Sequence, residues 1–296
     1  MKIKAIQMKN FRGFRDKTVR FSEGFNVLVG DNGTGKTTIL DAVRILVSYF
    51  INGLDKFPIK ESEKKDVLIE PTKIGEEILP RPVYPLSIKC FTDLTYHSIR
   101  DREKEGVWTH LYNPDNNQGK LFREPQVWRF SDEPDATTKG LRKAVLAGED
   151  VDLPLICYYG IRRFITKNLS SSSSDGVFRF EGYSNCLDVN TDERRFLAWF
   201  KKVLLQAHVR GKEIKVLEGV RNSISTVIPE CKMIGLDENA EDLQATIYNN
   251  GKEQVLPFKM LSDGYRNMLA MVADIAYRCA VLNPQLGEKA PLETHG

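Results

Sequence analysis

Apolar positions recur along this chain at two periods, and the switching between them lays out an α/β protein. Ile3 and Ala5, then Ile6 and Met8, alternate as in a strand whose phase slips once. Asn10-Phe11-Arg12-Gly13-Phe14 reads as a turn, and Val19 with Phe21 begins a second strand. Ser22-Glu23-Gly24 then turns into Phe25, Val27, Leu28 and Val29, the short apolar run expected of a buried parallel strand. From Ile39 the period changes. Val43, Leu46, Val47 and Phe50 follow at three- and four-residue steps, the stripe of an amphipathic helix.

Residues 51–150 carry the weakest pattern. Pro71, Pro80 and Pro82 break any long helix there. Val83 to Thr95 reads as a strand with Leu86, Ile88 and Cys90 on one face, and Leu141 to Ala147 as a short helix. Trp108, Tyr112, Phe122 and Trp128 stand among arginines, a pattern shared by half-buried strand edges and by nucleic-acid surfaces; the strand reading is the simpler. Leu153 to Gly160 (LPLICYYG) reads as a second buried strand, with Arg162 and Arg163 directly after it. Because ligands of open α/β sheets sit at the carboxyl ends of strands, Tyr159 and Arg162 become candidates for a ligand-facing edge. The serine-rich loop 166–176 divides an α/β lobe, residues 1–165, from a mainly helical lobe, residues 177–296, with 51–150 inserted in the first.

In the second lobe Asn190 and Glu193 have capping-box spacing ahead of the stripe Phe196, Leu197, Phe200, Val203 and Leu204, which predicts a helix over 191–208. Another helix spans 216–227 and stops before Pro229. Residues 245–248 and 254–258 form a hairpin about Asn250-Gly251. A last stripe, Met268, Leu269, Val272, Ile275, Ala276 and Cys279, sits behind Ser262 and ends before Pro284.

Composition narrows the class. An apolar fraction of 41% and a charged fraction of 28% in 296 residues are those of a globular protein of one large or two ordinary domains. The net charge of +3 neither demands nor excludes nucleic acid. No unbroken apolar run of 18 residues and no signal-peptide core occur, so a membrane span is not expected. Five scattered cysteines without a C-x-x-C pair point to free thiols in a reducing cytoplasm and against a zinc site.

The chemistry is concentrated between the first apolar run and the first helical stripe. Gly30-Asp31-Asn32-Gly33-Thr34-Gly35-Lys36-Thr37 is a complete G-x-x-x-x-G-K-[ST] phosphate-binding loop, followed by Thr38. Its glycines permit backbone angles and close approach that a Cβ forbids. Loop N–H groups and the helix N-terminus face phosphate oxygens, Lys36 adds a point charge at the β- and γ-phosphates, and Thr37 offers a hydroxyl to Mg²⁺. Arg12 and Arg15 stand close by in sequence, as solvated surface charges or as cations facing the nucleotide. Far downstream, Leu261-Ser262-Asp263-Gly264-Tyr265-Arg266 opens the last helix with a cap and a glycine that lets a phosphate approach. No guanine-reading N-K-x-D occurs, which argues against a GTPase.

Taken with the loop, LSDGYR resembles the LSGGQ-type signature of ATP-binding-cassette (ABC) ATPases. NFRGF and GDNGTGKT resemble the heads of the SMC, RecF and OLD-like branch. LPLICYYGIR, FLAWF and LSDGYRNMLAMVADIAYR together resemble the PtuA-like ATPase of Septu-type and retron-associated anti-phage systems. The resemblance implies a P-loop NTPase fold with a mixed β-sheet lobe and a helical signature lobe. It implies ATP and Mg²⁺ as cofactors, with Gly30 through Thr38 holding the nucleotide, Lys36 as the catalytic cation, Thr37 on the metal, Asn32 near the γ-phosphate and Arg12 also in contact. Two heads would meet head to tail, so that Ser262, Asp263, Gly264 and Arg266 of one reach the ATP of the other. Closure would drive DNA action or an HNH-type partner nuclease in anti-phage defence. A non-hydrolysing ATP sensor and a RecF-type repair ATPase are the alternatives. The family's next strand, ending in Asp-Glu and followed by a histidine switch, has no match here: Val67-Leu68-Ile69-Glu70 is too short and runs into Pro71. A longer parent protein is therefore expected to supply those residues.

Overall fold

The computed structural model describes residues 2–93, 105–112, 134–160, 178–188, 193–210, 215–228, 230–236, 243–249 and 251–295. Two compact units divide the chain, Met1–Ala147 and Gly148–Gly296. Phe122, Trp128, Arg162, Asn190 and the whole of the serine-rich loop fall outside the described residues.

The first unit is an antiparallel sheet under one long helix. Strands β1 (Lys2–Phe11), β2 (Phe14–Arg20), β5 (Leu86–Asp93) and β6 (Glu105–Tyr112) pair in the order β2-β1-β5-β6. The phase slip read in β1 is a register shift between Ile3 and Ala5. Beyond it Ile6 and Met8 face inward opposite Cys90 and Ile88, and Leu86 completes the same buried face. Helix α1 (Lys36–Asp55) covers that face with Ile39, Ala42, Leu46, Phe50 and Leu54. By length and composition α1 could cross a membrane, yet half of its apolar window is buried inside the protein, as in the core helix of a globular unit. Helix α2 (Pro134–Leu146) leans on its last turn, where Arg142 donates to the Leu54 carbonyl and pairs with Asp55. Between α1 and β5, strands β3 (Ile69–Ile74) and β4 (Glu77–Pro82) make an exposed ribbon whose prolines blunt its edges.

Phe25–Val29 departs from the sequence expectation. These residues belong to no strand, and Phe25 and Val29 are 91% and 89% exposed. An apolar run becomes a buried parallel strand only beside a neighbour that accepts its ladder, and no described strand pairs with it. Leu153–Gly160 is likewise outside any strand. Leu153 and Pro154 are nevertheless buried, and isolated backbone bonds hold the segment, Leu155 N to the His295 carbonyl and Tyr158 N to the Cys186 carbonyl.

The second unit builds its core between α3 (Glu193–Arg210), α4 (Lys215–Val227), α5 (Asp263–Leu282) and the sheet β7 (Cys231–Leu236), β8 (Leu243–Asn249), β9 (Lys252–Pro257). The helices match the periodic stripes. The β8–β9 register closes on Asn249 and Lys252, with Gly251 between them in the left-handed region at φ 78°, as the Asn-Gly signal predicts, Asn250 itself lying outside the described residues. Phe196 and Trp199 pack edge-on to Tyr277, joining α3 to α5. The short helix α6 (Ala290–Glu293) ends the unit. All five cysteines are free thiols.

One polar cluster sits inside the first unit. His110 on β6 bonds Tyr49 Oη at 2.9 Å and Ser62 Oγ at 2.7 Å, fixing the sheet to α1. Burial pushes its pKa down to about 4 against the opposing field of Asp66. The ordinary value is 6.5, so the unfolded chain binds the extra proton first. Stability from this site should therefore be complete above about pH 6.5 and fall, by up to roughly 3 kcal/mol, as the pH drops toward 4. Urea midpoints measured across that window should decline steeply for the native protein and less steeply for His110→Asn.

Candidate nucleotide-binding site

The local sequence dictates the loop. Gly33 and Gly35 occupy the left-handed region, at φ 84° and 94°, which a side chain would strain. Gly35 is the N-cap of α1 and its carbonyl accepts from Ile39 N at 3.0 Å, so the helix begins immediately at Lys36. Thr34 steadies the bend, donating both N–H and Oγ1 to the Asp31 carbonyl. Lys36 Nζ lies across the loop on the carbonyls of Gly30 and Asp31, at 2.6 and 2.7 Å.

The electrostatics favour an anion. Helix α1 has no side-chain cap and no acidic residue in its first turn, so its leading N–H groups and the positive end of its dipole remain available. Residues Gly30–Thr34 and Thr37 are exposed, with Lys36 and Thr38 half-buried. The lysine ammonium, the open amides and the Thr37 hydroxyl fit a phosphate chain carrying Mg²⁺. Among the described residues no cluster of His, Cys, Asp or Glu offers an all-protein metal site.

Arg12 stands behind this loop with its guanidinium engaged. Nε donates to Asp66 Oδ1 at 2.8 Å and Nη1 to Asp41 Oδ2 at 2.6 Å, while its backbone N–H bonds the Asp66 carbonyl. Asp41 lies one turn beyond Thr37 on α1. Sequence reasoning missed both carboxylates. The i+4 spacing from Thr37 could have flagged Asp41, whereas nothing local pairs Asp66 with a residue 54 positions away. Arg15, the other candidate cation, is taken up by Glu70 on the ribbon. Phe14, first in β2, lies against Gly35: a Cβ built there would meet its Cζ at 2.4 Å.

The second landmark is in the second unit. Ser262 caps α5, its Oγ accepting from Tyr265 N at 3.4 Å. Asp263 fills the first turn and pairs with Arg266 at 2.5 Å. Ser262, Asp263 and Gly264 are exposed, and a Cβ on Gly264 would meet nothing within 4 Å. No contact among the described residues therefore requires a glycine at that position.

Tyr159 is not at a ligand-facing edge. Its hydroxyl donates to Asp274 Oδ2 at 2.7 Å inside the second unit, and burial raises its pKa, with Cys157 and Asp274 adding to the shift. Asp274 in turn holds Arg278 Nε at 2.9 Å, and Arg278 Nη1 donates to the carbonyls of Gly182 and Ser184. The apolar run around Tyr159 is thus fastened to the middle of α5.

A model of an AAA domain (AAA_23) matches residues 5–245. The chain belongs to that family. Curated relatives of this AAA-domain protein include a probable ATPase of the retron Ec83 from Escherichia coli, 22% identical over 96% of this chain and 60% of that protein. A probable ATPase of the retron Vc95 from Vibrio cholerae serotype O1 biovar El Tor is 19% identical over 100% of the chain and 63% of that protein. The AAA-domain chain thus spans about 60% of the length of these relatives. The DNA replication and repair protein RecF of Acetivibrio thermocellus matches a short stretch, 44% identical over 48 residues, or 16% of this chain and 13% of that one. A solved SMC head bound to the C-terminal winged-helix domain of ScpA covers 96% of the chain and 79% of its own, at 16% identity and a TM-score of 0.50. The fold is therefore that of an SMC/RecF-like P-loop ATPase head, α/β, with antiparallel sheets and a helical lobe.

Arg278 supplies a direct check on how this AAA-domain protein holds α5. Arg278→Met removes the cation and leaves the Asp274 carboxylate buried, at an expected cost of about 3–5 kcal/mol in urea unfolding. Adding Asp274→Leu should recover most of that loss, because the uncompensated charge leaves with it.

Proposed function

We propose that this chain is the nucleotide-binding head of an ATPase that closes on ATP–Mg²⁺ together with a second copy and couples that closure to DNA or to a partner nuclease in anti-phage defence. The observation that carries the reading is the contrast between two helix starts. At α1 the N-terminus is uncapped, free of acidic residues and preceded by an open glycine loop, the environment a triphosphate requires. At α5 the N-terminus is capped by its own serine and is exposed beside a glycine that no contact among the described residues needs.

In this reading Gly30–Thr38 binds the triphosphate and Asn32 lies near the γ-phosphate. Lys36 leaves the carbonyls of Gly30 and Asp31 for the β- and γ-oxygens, and Thr37 takes the metal. Mg²⁺ supplies charge neutralisation between the outer phosphates when bound. Arg12 keeps a free donor for the nucleotide: Nη2 makes no hydrogen bond among the described residues. Ser262 and Gly264 of a second head would close over the γ-phosphate. Asp263 would be tolerated there because Arg266 neutralises it. Turnover would require acidic residues that hold the metal and polarise the attacking water, beyond the residues assigned here. The relatives are named as retron ATPases, in keeping with the resemblance to retron-associated anti-phage systems from which the defence role is proposed, and the match to a DNA replication and repair protein supports work on DNA.

Two variants separate binding from closure. Lys36→Ala should weaken ATP–Mg²⁺ binding by at least about tenfold in isothermal titration calorimetry. Ser262→Arg should bind ATP normally but fail to dimerise with it in size-exclusion light scattering. Normal ATP-dependent dimerisation in that variant would overturn the shared-site reading.

A further inference from the structure

We infer that Phe14 and Asp41 are positioning residues of the phosphate loop, through which the β1–β2 turn sets the loop's geometry. The inference rests on the nucleotide-binding reading above and extends it to side chains outside the phosphate-loop motif.

Two contacts in the first unit carry it. The first is at the helix start. An idealised Cβ on Gly35 would lie 2.4, 3.0 and 3.2 Å from Cζ, Cε2 and Cε1 of Phe14, so the end of that ring occupies the place of the missing side chain. Gly35 at φ 94° is the hinge between loop and helix, and Phe14 limits its movement to one side. The second contact is one turn further along. Arg12, two residues before Phe14, grips Asp41 through Nη1 at 2.6 Å. The turn thus meets α1 at its N-cap and again in its second turn.

The turn itself is fixed from behind. Phe11 is fully buried and bridges Val67. Arg12 is tied to Asp66 by its backbone N–H at 2.6 Å and by Nε at 2.8 Å, and Asp66 is itself buried. Arg12 holds a left-handed backbone at φ 49°, a conformation that persists where surrounding bonds impose it. In contrast, β2 beyond Phe14 is mostly exposed, so its first ring is the part of the strand that bears on the loop. Amide donors aimed at phosphate lose much of their value with errors of about 1 Å, and the restraint on Gly35 limits that error.

The test measures ATP–Mg²⁺ affinity by calorimetry on the native chain, Phe14→Ala, Phe14→Leu, Asp41→Ala and Asp41→Asn. Inorganic triphosphate serves as competitor, and melting temperature and near-UV circular dichroism are followed in parallel. Phe14→Ala and Asp41→Ala should each weaken ATP by about tenfold, with triphosphate weakened by the same factor and the folded signal retained. Phe14→Leu, which keeps an apolar stop, and Asp41→Asn, which keeps an acceptor, should recover most of the loss. Alanine variants that bind like the native chain would overturn the inference and leave the nucleotide-binding reading standing. So would an affinity loss that only tracks a loss of folded protein, or one not relieved by the conservative variants. Failure of the well-folded native chain to bind ATP–Mg²⁺ would overturn both.

Discussion

The first turn of α1 meets two demands at once. Its inner side, from Ile39 on, is the lid of the first unit's core. Its leading edge must keep N–H groups unpaired and free of acidic neighbours, or it could not receive a phosphate. Most helices relieve that strain with a serine or an aspartate; α1 begins at a left-handed glycine instead and leaves the donors open. The open end costs helix stability locally, and the remainder of α1 offsets it. Burial of Leu46, Phe50 and Leu54, each worth roughly 1.5–3 kcal/mol, holds the helix whether or not its end is occupied.

The surrounding polar groups follow from that arrangement. A helix fixed along its length but open at its start needs lateral restraint, and the first unit supplies it through residues distant in sequence. Asp66 reaches Arg12, Arg12 reaches Asp41, and His110 ties Tyr49 to Ser62. Each such buried group is bonded, as it must be where water cannot substitute. Within the second unit α5 is treated in the opposite way. Its start is closed by Ser262 and Asp263, while its middle carries a buried ion pair with Tyr159, Gly182 and Ser184 as partners.

What the sequence disclosed follows from the range of each interaction. Periodicity located α1, α3, α4 and α5 to within a few residues, because a helical stripe is written within a single turn or two. The β8–β9 hairpin, the β1 register shift and the Ser262 cap were legible for the same reason. The phosphate loop was legible because its chemistry fits in eight consecutive residues. Strand identity was legible only where alternation or a turn signal marked it, as in β1, β5 and the β8–β9 pair, since a strand is defined by its neighbours. Phe25–Val29 and Leu153–Gly160 have the composition of buried strands but no described ladder partner, so composition alone misassigned them. Strand β7 went unread, with Met233 exposed and Gly235 interrupting the alternation. The same limit concealed Asp66, Phe14 and the Tyr159–Asp274–Arg278 cluster, whose partners are brought together only by the fold.

The two helix starts show how similar local parts can be set for different tasks. Both α1 and α5 are twenty residues long, amphipathic and preceded by a short irregular stretch. A helix N-terminus attracts negative charge in proportion to what its own side chains leave unsatisfied. At α1 the first turn carries Lys36 and no acidic residue, so an incoming triphosphate meets no carboxylate in that turn. At α5 an internal carboxylate already sits on the dipole, and Arg266 offsets it. Net attraction there is weaker, so α5 by itself should not hold a nucleotide. It can add to one already bound elsewhere, since an exposed serine and glycine present a small, uncharged edge that fits against phosphate oxygens at little desolvation cost. In the proposed reading that asymmetry implies an order of events: the phosphate loop would bind first, and the capped helix would respond to what has been bound.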